Sequence, residues 1–175
     1  MEGYSTLFGE LDAQLAEAGA GPPALVTVPV GVGSLAQAAV VHYRSAAKRG
    51  GAVLSVEPVT AACLLASLRA GTPVTVPTAN TIMTGLYCGT VSSAAWPVLA
   101  GGLDAAIAVT DDEARRAAAD LGAAGISSGP SGAASLAGAR AALTGNVSAD
   151  RRAFLAVNSD SVIVLLNTEA GTASS

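Results

Sequence analysis

The residues of this chain that could do chemistry gather around one stretch, Val28-Pro29-Val30-Gly31-Val32-Gly33-Ser34-Leu35. It reads as a buried strand, a glycine turn and the start of a helix. Small residues let a backbone approach a ligand closely, and the unpaired N–H groups of a helix start point at an anion. A phosphate therefore suits this turn. Gly31-x-Gly33-x-x-Ala36 also satisfies the G-x-G-x-x-G/A pattern of a dinucleotide site, and Glu57 ends the next strand about where a ribose-binding acid belongs. Plainer readings stand beside these. Glu57 equally suits an exposed helix start, where the dipole favours a carboxylate. Pro29, inside the preceding strand, is awkward for a dinucleotide site.

Other reactive groups are scarce. The chain has one lysine, Lys48, and one histidine, His42. Arg44, Lys48 and Arg49 form the densest basic group, placed at a helix end where cations favour the dipole. Cys63 and Cys88 are too few for a disulfide framework and have no partners at metal spacing, so they are expected to be buried thiols. A net charge of −4 argues against a nucleic-acid surface. No apolar run reaches the ~20 residues of a membrane span, and the N-terminus does not read as a signal peptide, so a cytoplasmic location is expected.

The elements that must position the glycine turn follow from periodicity and breakers. A length of 175 residues fits one domain with a real core, here built on alanine and glycine with few aromatics. Leu7, Leu11 and Leu15 recur every four residues and predict a helix over 4–18. Strands are expected over 25–30, 52–57, 103–109 and 161–166. Helices are expected over 34–48, from Pro58 to about 70, over 111–121 behind a Thr110/Glu113 capping box, and over 131–143. A short helix over 92–99 is limited by Pro97. Residues 72–90, with Pro73, Pro77, Gly85 and Gly89, predict an irregular segment, mobile where neighbours would cover it. Alternating strands and helices predict an α/β domain with a mostly parallel sheet, and ligands of such sheets bind at the carboxyl ends of the strands. Gly31, Pro58, Thr110 and Thr168 all follow strands and should share that edge.

Several segments together carry a resemblance to a known family. The phosphate turn resembles that of fold-type II pyridoxal-phosphate (PLP) enzymes, the group of threonine dehydratase and tryptophan synthase β. Many of those have four consecutive glycines; Val32 and Ser34 replace two of them here, as in the diaminopropionate ammonia-lyase branch. Gly3-Tyr4-Ser5-Thr6-Leu7, Val56-Glu57-Pro58 with Ala61-Ala62-Cys63, Thr81 through Thr90, Ala95-Trp96-Pro97, Ser128 through Ala134, and Asn167-Thr168-Glu169-Ala170-Gly171-Thr172 are similar to that branch, in its order.

The resemblance implies PLP as cofactor, with the N–H groups of Gly31, Val32, Gly33 and Ser34 on its phosphate and the Ser34 hydroxyl beside them. It implies Thr168 on the pyridine nitrogen, and Thr81 and Gly85 near the ring or the substrate. It implies release of pyruvate and ammonia from an amino-acid substrate such as 2,3-diaminopropionate. Tyr87 stands where relatives carry a smaller or amide residue. The Schiff-base lysine of the family belongs upstream of every matched segment, and Lys48, near the far end of the helix after the phosphate turn, is a poor substitute. The chain is thus expected to be a single partial PLP-binding domain over 1–175, with no catalytic lysine of its own and inactive alone. A homo-oligomer, or a partner carrying the N-terminal half, is expected; nucleic acid and membrane are not. The competing expectation is a non-catalytic α/β phosphate- or dinucleotide-binding domain.

Overall fold

In the computed structural model, which describes residues 2–45 and 50–170, four parallel strands form one sheet in the order β3-β2-β1-β4. The strands are β1 (Leu25–Pro29), β2 (Ala52–Pro58), β3 (Ala105–Val109) and β4 (Ile163–Leu165). All four were expected from sequence, with ends shifted by a few residues. Side chains alternate between the two faces, as the strand period of two requires. Val26, Val28, Val30, Val53 and Val164 enter one core with Phe8, Ala36, Val40 and Leu99. Leu25, Leu54 and Val56 enter the other with Ala114, Ala117, Ala133 and Ala137.

The first core is covered by α1 (Glu2–Glu17), α2 (Ser34–Tyr43), α3 (Cys63–Ala70) and α4 (Trp96–Gly102). The second is covered by α5 (Asp111–Ala123), α6 (Pro130–Leu143) and residues following α7 (Ser148–Phe154). The small residues of α6 show how an alanine-rich element packs a core. Gly138 lies so close to the Val56 side chain that a Cβ would overlap it, and nine residues of α6 are buried. A helix stripped of bulk rides close to the sheet, and packing rather than side-chain size fills the core.

Four expectations change. Helix α2 ends at Tyr43, earlier than its periodicity predicts; residues 46–49, including Lys48 and Arg49, lie outside the described residues. Arg44 does not simply face a dipole, because its guanidinium pairs with Asp104 and donates to the Gly51 carbonyl at 3.1 Å. Pro97 opens α4 in its first turn instead of limiting it, since a first-turn proline loses no helical hydrogen bond. Pro58 is followed by a 3-10 turn, Val59–Ala61, before α3 begins. Helix α7 was not foreseen. Its last turn is held from outside the helix, with Arg151 and Arg152 donating to the Ala141 and Leu143 carbonyls at 2.6 Å.

Candidate cofactor site

The strand order reverses between β1 and β4, because β2 and β3 extend the sheet one way from β1 and β4 lies on the other side. A crevice outside the carboxyl ends of two such strands is where open α/β sheets bind ligands. Gly31–Ser34 leave β1 on one side of it, and Asn167-Thr168-Glu169 leave β4 on the other. Pro29 is explained by this arrangement. The Val30 N–H donates to Val56 of β2 at 2.8 Å, and the Thr27 carbonyl accepts from Leu166 on the β4 side. By alternation Pro29 faces the β4 side, beyond the last β1–β4 pair, Thr27–Leu165. Its missing N–H therefore costs the sheet no ladder bond.

The phosphate turn has the form its residues predict. Gly33 is the N-cap of α2 with φ 102°, in the left-handed region that glycine adopts without strain. A Cβ there would stand 2.8 Å from Leu99 Cδ1, on the α4 side, so both conformation and packing require glycine. Among the described residues the N–H groups of Gly31 through Ser34 donate to no protein acceptor. Val32 and Ser34 are exposed, and the Val32 carbonyl is fixed by Ser92 N–H at 2.9 Å. The turn is anchored on its protein side and open on its N–H side.

Residues 72–90 are irregular, as expected, apart from a 3-10 turn at Thr84–Leu86, but they are tied down along their length. Val76 N–H donates to Gly89 at 2.9 Å and Ala79 N–H to Thr60 at 3.0 Å. Thr81 Oγ1 donates to Asp111 Oδ1 at 2.5 Å and accepts from Met83 N–H at 3.1 Å. Thr81 thus spends its hydroxyl on the start of α5. Gly85 reaches the crevice. Its N–H donates to Ser131 Oγ at 3.2 Å, and its carbonyl lies 3.1 Å from where a Gly31 Cβ would stand. Tyr87 is half exposed, and its hydroxyl accepts from Thr78 Oγ1 at 2.8 Å.

On the opposite side, Thr168 is exposed, and its hydroxyl bonds nothing among the described residues. Its neighbours are fully engaged. Asn167 Nδ2 donates to the Ser127 carbonyl at 2.9 Å and its Oδ1 accepts from Ser128 Oγ at 2.8 Å. Glu169 accepts from Gly129 N–H at its carbonyl, 2.9 Å, and from Ser131 N–H at Oε2, 2.7 Å.

Glu57 does not serve as a ribose-binding acid, nor is it exposed. It is fully buried, and its two carboxylate oxygens accept from the N–H groups of Leu64 and Leu65, each at 2.7 Å. It caps α3 from the strand, and the dinucleotide reading loses its acid. Burial pushes its carboxyl up to about 7, and the two backbone bonds oppose that rise. Cys63, at the start of α3, is pushed up to about 12 by burial, with the Glu57 charge adding to it. Both cysteines are free; Cys63 is buried, as expected, whereas Cys88 is only half-buried. His42 Nε2 lies 2.7 Å from Asp12 Oδ2 and stacks on Phe8, tying α1 to α2 away from the crevice. Among the described residues no group of His, Cys, Asp and Glu could hold a metal ion, and no helix is long and apolar enough to cross a membrane.

Comparison with known proteins agrees with this geometry. Diaminopropionate ammonia lyase from Escherichia coli, solved with D-serine, superposes with a TM-score of 0.81 at 30% identity, over 96% of this chain and 43% of that one. A fungal L-serine ammonia-lyase from Rhizomucor miehei gives 0.76 and 26%, over 98% and 51%. Serine racemase from maize gives 0.77 and 25%, over 98% and 49%. The chain spans about half the length of these proteins. No curated protein sequence matches it. The Escherichia coli lyase has also been solved with an aminoacrylate–PLP azomethine intermediate, and PLP is the family's cofactor. Residues 1–160 match the family described as pyridoxal-phosphate dependent enzyme, and the chain belongs to it.

Proposed function

We propose that this chain is the phosphate- and ring-binding part of a PLP-dependent ammonia-lyase of the diaminopropionate type. The overall reaction converts 2,3-diaminopropionate and water into pyruvate and two molecules of ammonia. The observation that carries the reading is the switch point between β1 and β4. A turn with open N–H groups from Gly31 to Ser34 faces, across a topological switch point, a strand end bearing the free hydroxyl of Thr168. The 30% identity to the Escherichia coli lyase supports the branch.

The residues present fit the cofactor. The four N–H groups and the positive end of α2 suit a phosphate dianion, with the exposed Ser34 beside them. A Cβ at Gly31 would crowd the Gly85 carbonyl, and at Gly33 the positive φ and the contact with Leu99 together favour glycine. Thr168 supplies a neutral hydroxyl for the pyridine nitrogen. A hydroxyl, unlike a carboxylate, leaves that nitrogen largely unprotonated and moderates electron withdrawal. Bound PLP supplies the electron sink that stabilises negative charge at the substrate Cα. The described residues bind and orient; they set no amine or imidazole at the crevice. We assign the proton transfers at Cα to the remainder of the complete enzyme, contributed by a second chain or by a region upstream.

The test uses the single tryptophan, Trp96, at the start of α4, the helix that packs under Gly33. PLP should quench its emission saturably, and inorganic phosphate should compete. Absence of saturable quenching, or equal quenching of Gly33→Val, would remove this turn as the cofactor site.

A further inference from the structure

The tripeptide after β4 is stapled to the start of α6 on both sides of Thr168. We propose that Glu169 is a positioning residue: with Asn167 it locks the backbone on either side of Thr168 and so sets the Thr168 hydroxyl at the crevice. This rests on the cofactor reading above.

Helix α6 begins at Pro130 behind Gly129, an N-cap with no side chain to satisfy the first N–H groups. Glu169 takes over that task from 38 residues away, its Oε2 accepting from Ser131 N–H at 2.7 Å and its carbonyl from Gly129 N–H at 2.9 Å. A carboxylate at a helix N-terminus is favoured by the dipole as well as by the bond. Asn167 completes the staple through Ser127 and Ser128. The fit is close. A Cβ on Gly129 would stand 2.5 Å from Glu169 Oε2, and one on Gly132 would overlap Asn167 Oδ1. Those two glycines make room for the two side chains.

Thr168 lies between these anchors with its own hydroxyl unspent. A single short strand, Ile163–Leu165, would not fix a residue three positions past its end. The staple does so, and it reaches the phosphate turn as well. Ser131, whose N–H Glu169 accepts, receives Gly85 N–H on its Oγ, and the Gly85 carbonyl rests against Gly31. Hydrogen bonds therefore run from the Thr168 side through Ser131 to Gly85, and Gly85 meets the phosphate turn at Gly31 by packing alone.

The test separates ring recognition from phosphate binding and from stability. The probes are pyridoxine 5′-phosphate, which keeps the ring and phosphate but has no aldehyde to condense with Lys48, and inorganic phosphate. Affinities are read on the full chain by titration, and stability by thermal melting. Glu169→Ala should weaken pyridoxine 5′-phosphate about tenfold, the equivalent of one or two lost positioning bonds, and change phosphate affinity less than about twofold. Glu169→Gln should restore most of the loss, because its amide oxygen still accepts from Ser131. Thr110→Ala, which removes the cap of α5 at Glu113 N–H, should lower the melting temperature without changing the affinity ratio. If Glu169→Ala does not fold, Asn167→Ala decides by the same ratio. An unchanged ratio in a destabilised Glu169→Ala would overturn the proposal and leave Glu169 as a helix cap alone. A parent chain that binds phosphate but shows no preference for the ring would instead overturn the cofactor reading, and the positioning role with it.

Discussion

Gly33 shows how a single residue can be required for reasons that differ from the first one suggested. A side chain at that position would not project among the N–H groups, where it would block a ligand; it would press into Leu99, Ala95 and Val91. The positive φ of 102° adds strain for any L-residue and most for a β-branched one. Gly33→Val is therefore expected to cost about 1–3 kcal/mol from backbone conformation, with more from the displaced leucine. It should lose phosphate binding because the turn moves. A chemical melt of the variant checks the first expectation and a phosphate titration the second; wild-type stability would mean the turn adopts another conformation. Pro29 makes the complementary point. Its awkwardness in a strand vanishes once β4 is seen to stop short of it.

At the scale of elements, local signals served well where the reason for an element was local. The Thr110/Glu113 capping box is present, with Glu113 Oε2 accepting from Thr110 N–H at 2.7 Å. The apolar runs became strands, and the leucine period at 7, 11 and 15 became α1. What sequence did not reveal depends on side-chain-to-backbone contacts that periodicity does not mark. Helix α7 is fastened to α6 carbonyls nine and ten residues back, and the start of α6 is capped by Glu169, 38 residues on and outside any local window. Glu57 is the sharpest case. Its spacing after a glycine turn suits a ribose, yet it is buried against α3. That burial makes a prediction about pH. The folded-state value near 7 lies above the ordinary 4.5, so between these values the folded chain binds more protons than the unfolded one. Stability from this group is present below about pH 4.5, falls as pH rises and is lost above about 7, a change on the order of 3 kcal/mol. Glu57→Gln, which imitates the protonated acid, should flatten that slope and melt higher than the parent at pH 8. Parallel melting curves across pH 5 to 8 for the two proteins would show that Glu57 is ionised at no cost.

The whole molecule is a sheet with two open edges, one at β3 and one at the three-residue β4, and a chain that spans about half of its structural relatives. Strand edges of this kind invite pairing, so the chain should associate as its concentration rises; sedimentation over a hundredfold range that finds one unchanging monomer would contradict this. Its activity should be absent for a related reason. The residues proposed to hold the cofactor leave the ends of β1 and β4, but the one lysine, Lys48, follows α2 by five residues in sequence, and the phosphate turn opens the other end of that helix. Ten helical residues alone put about 15 Å between the two ends. The chain with PLP should therefore release no pyruvate from 2,3-diaminopropionate, serine or threonine while still binding the cofactor's phosphate. A coupled pyruvate assay on the parent and on Lys48→Ala checks this. Pyruvate lost with Lys48→Ala would make Lys48 the reactive amine. Pyruvate that survives the substitution would mean that turnover proceeds without any lysine of this chain. Silence in both, together with phosphate-competed binding, is the outcome expected of a half-site that holds and orients a cofactor whose reactive partner is supplied from elsewhere.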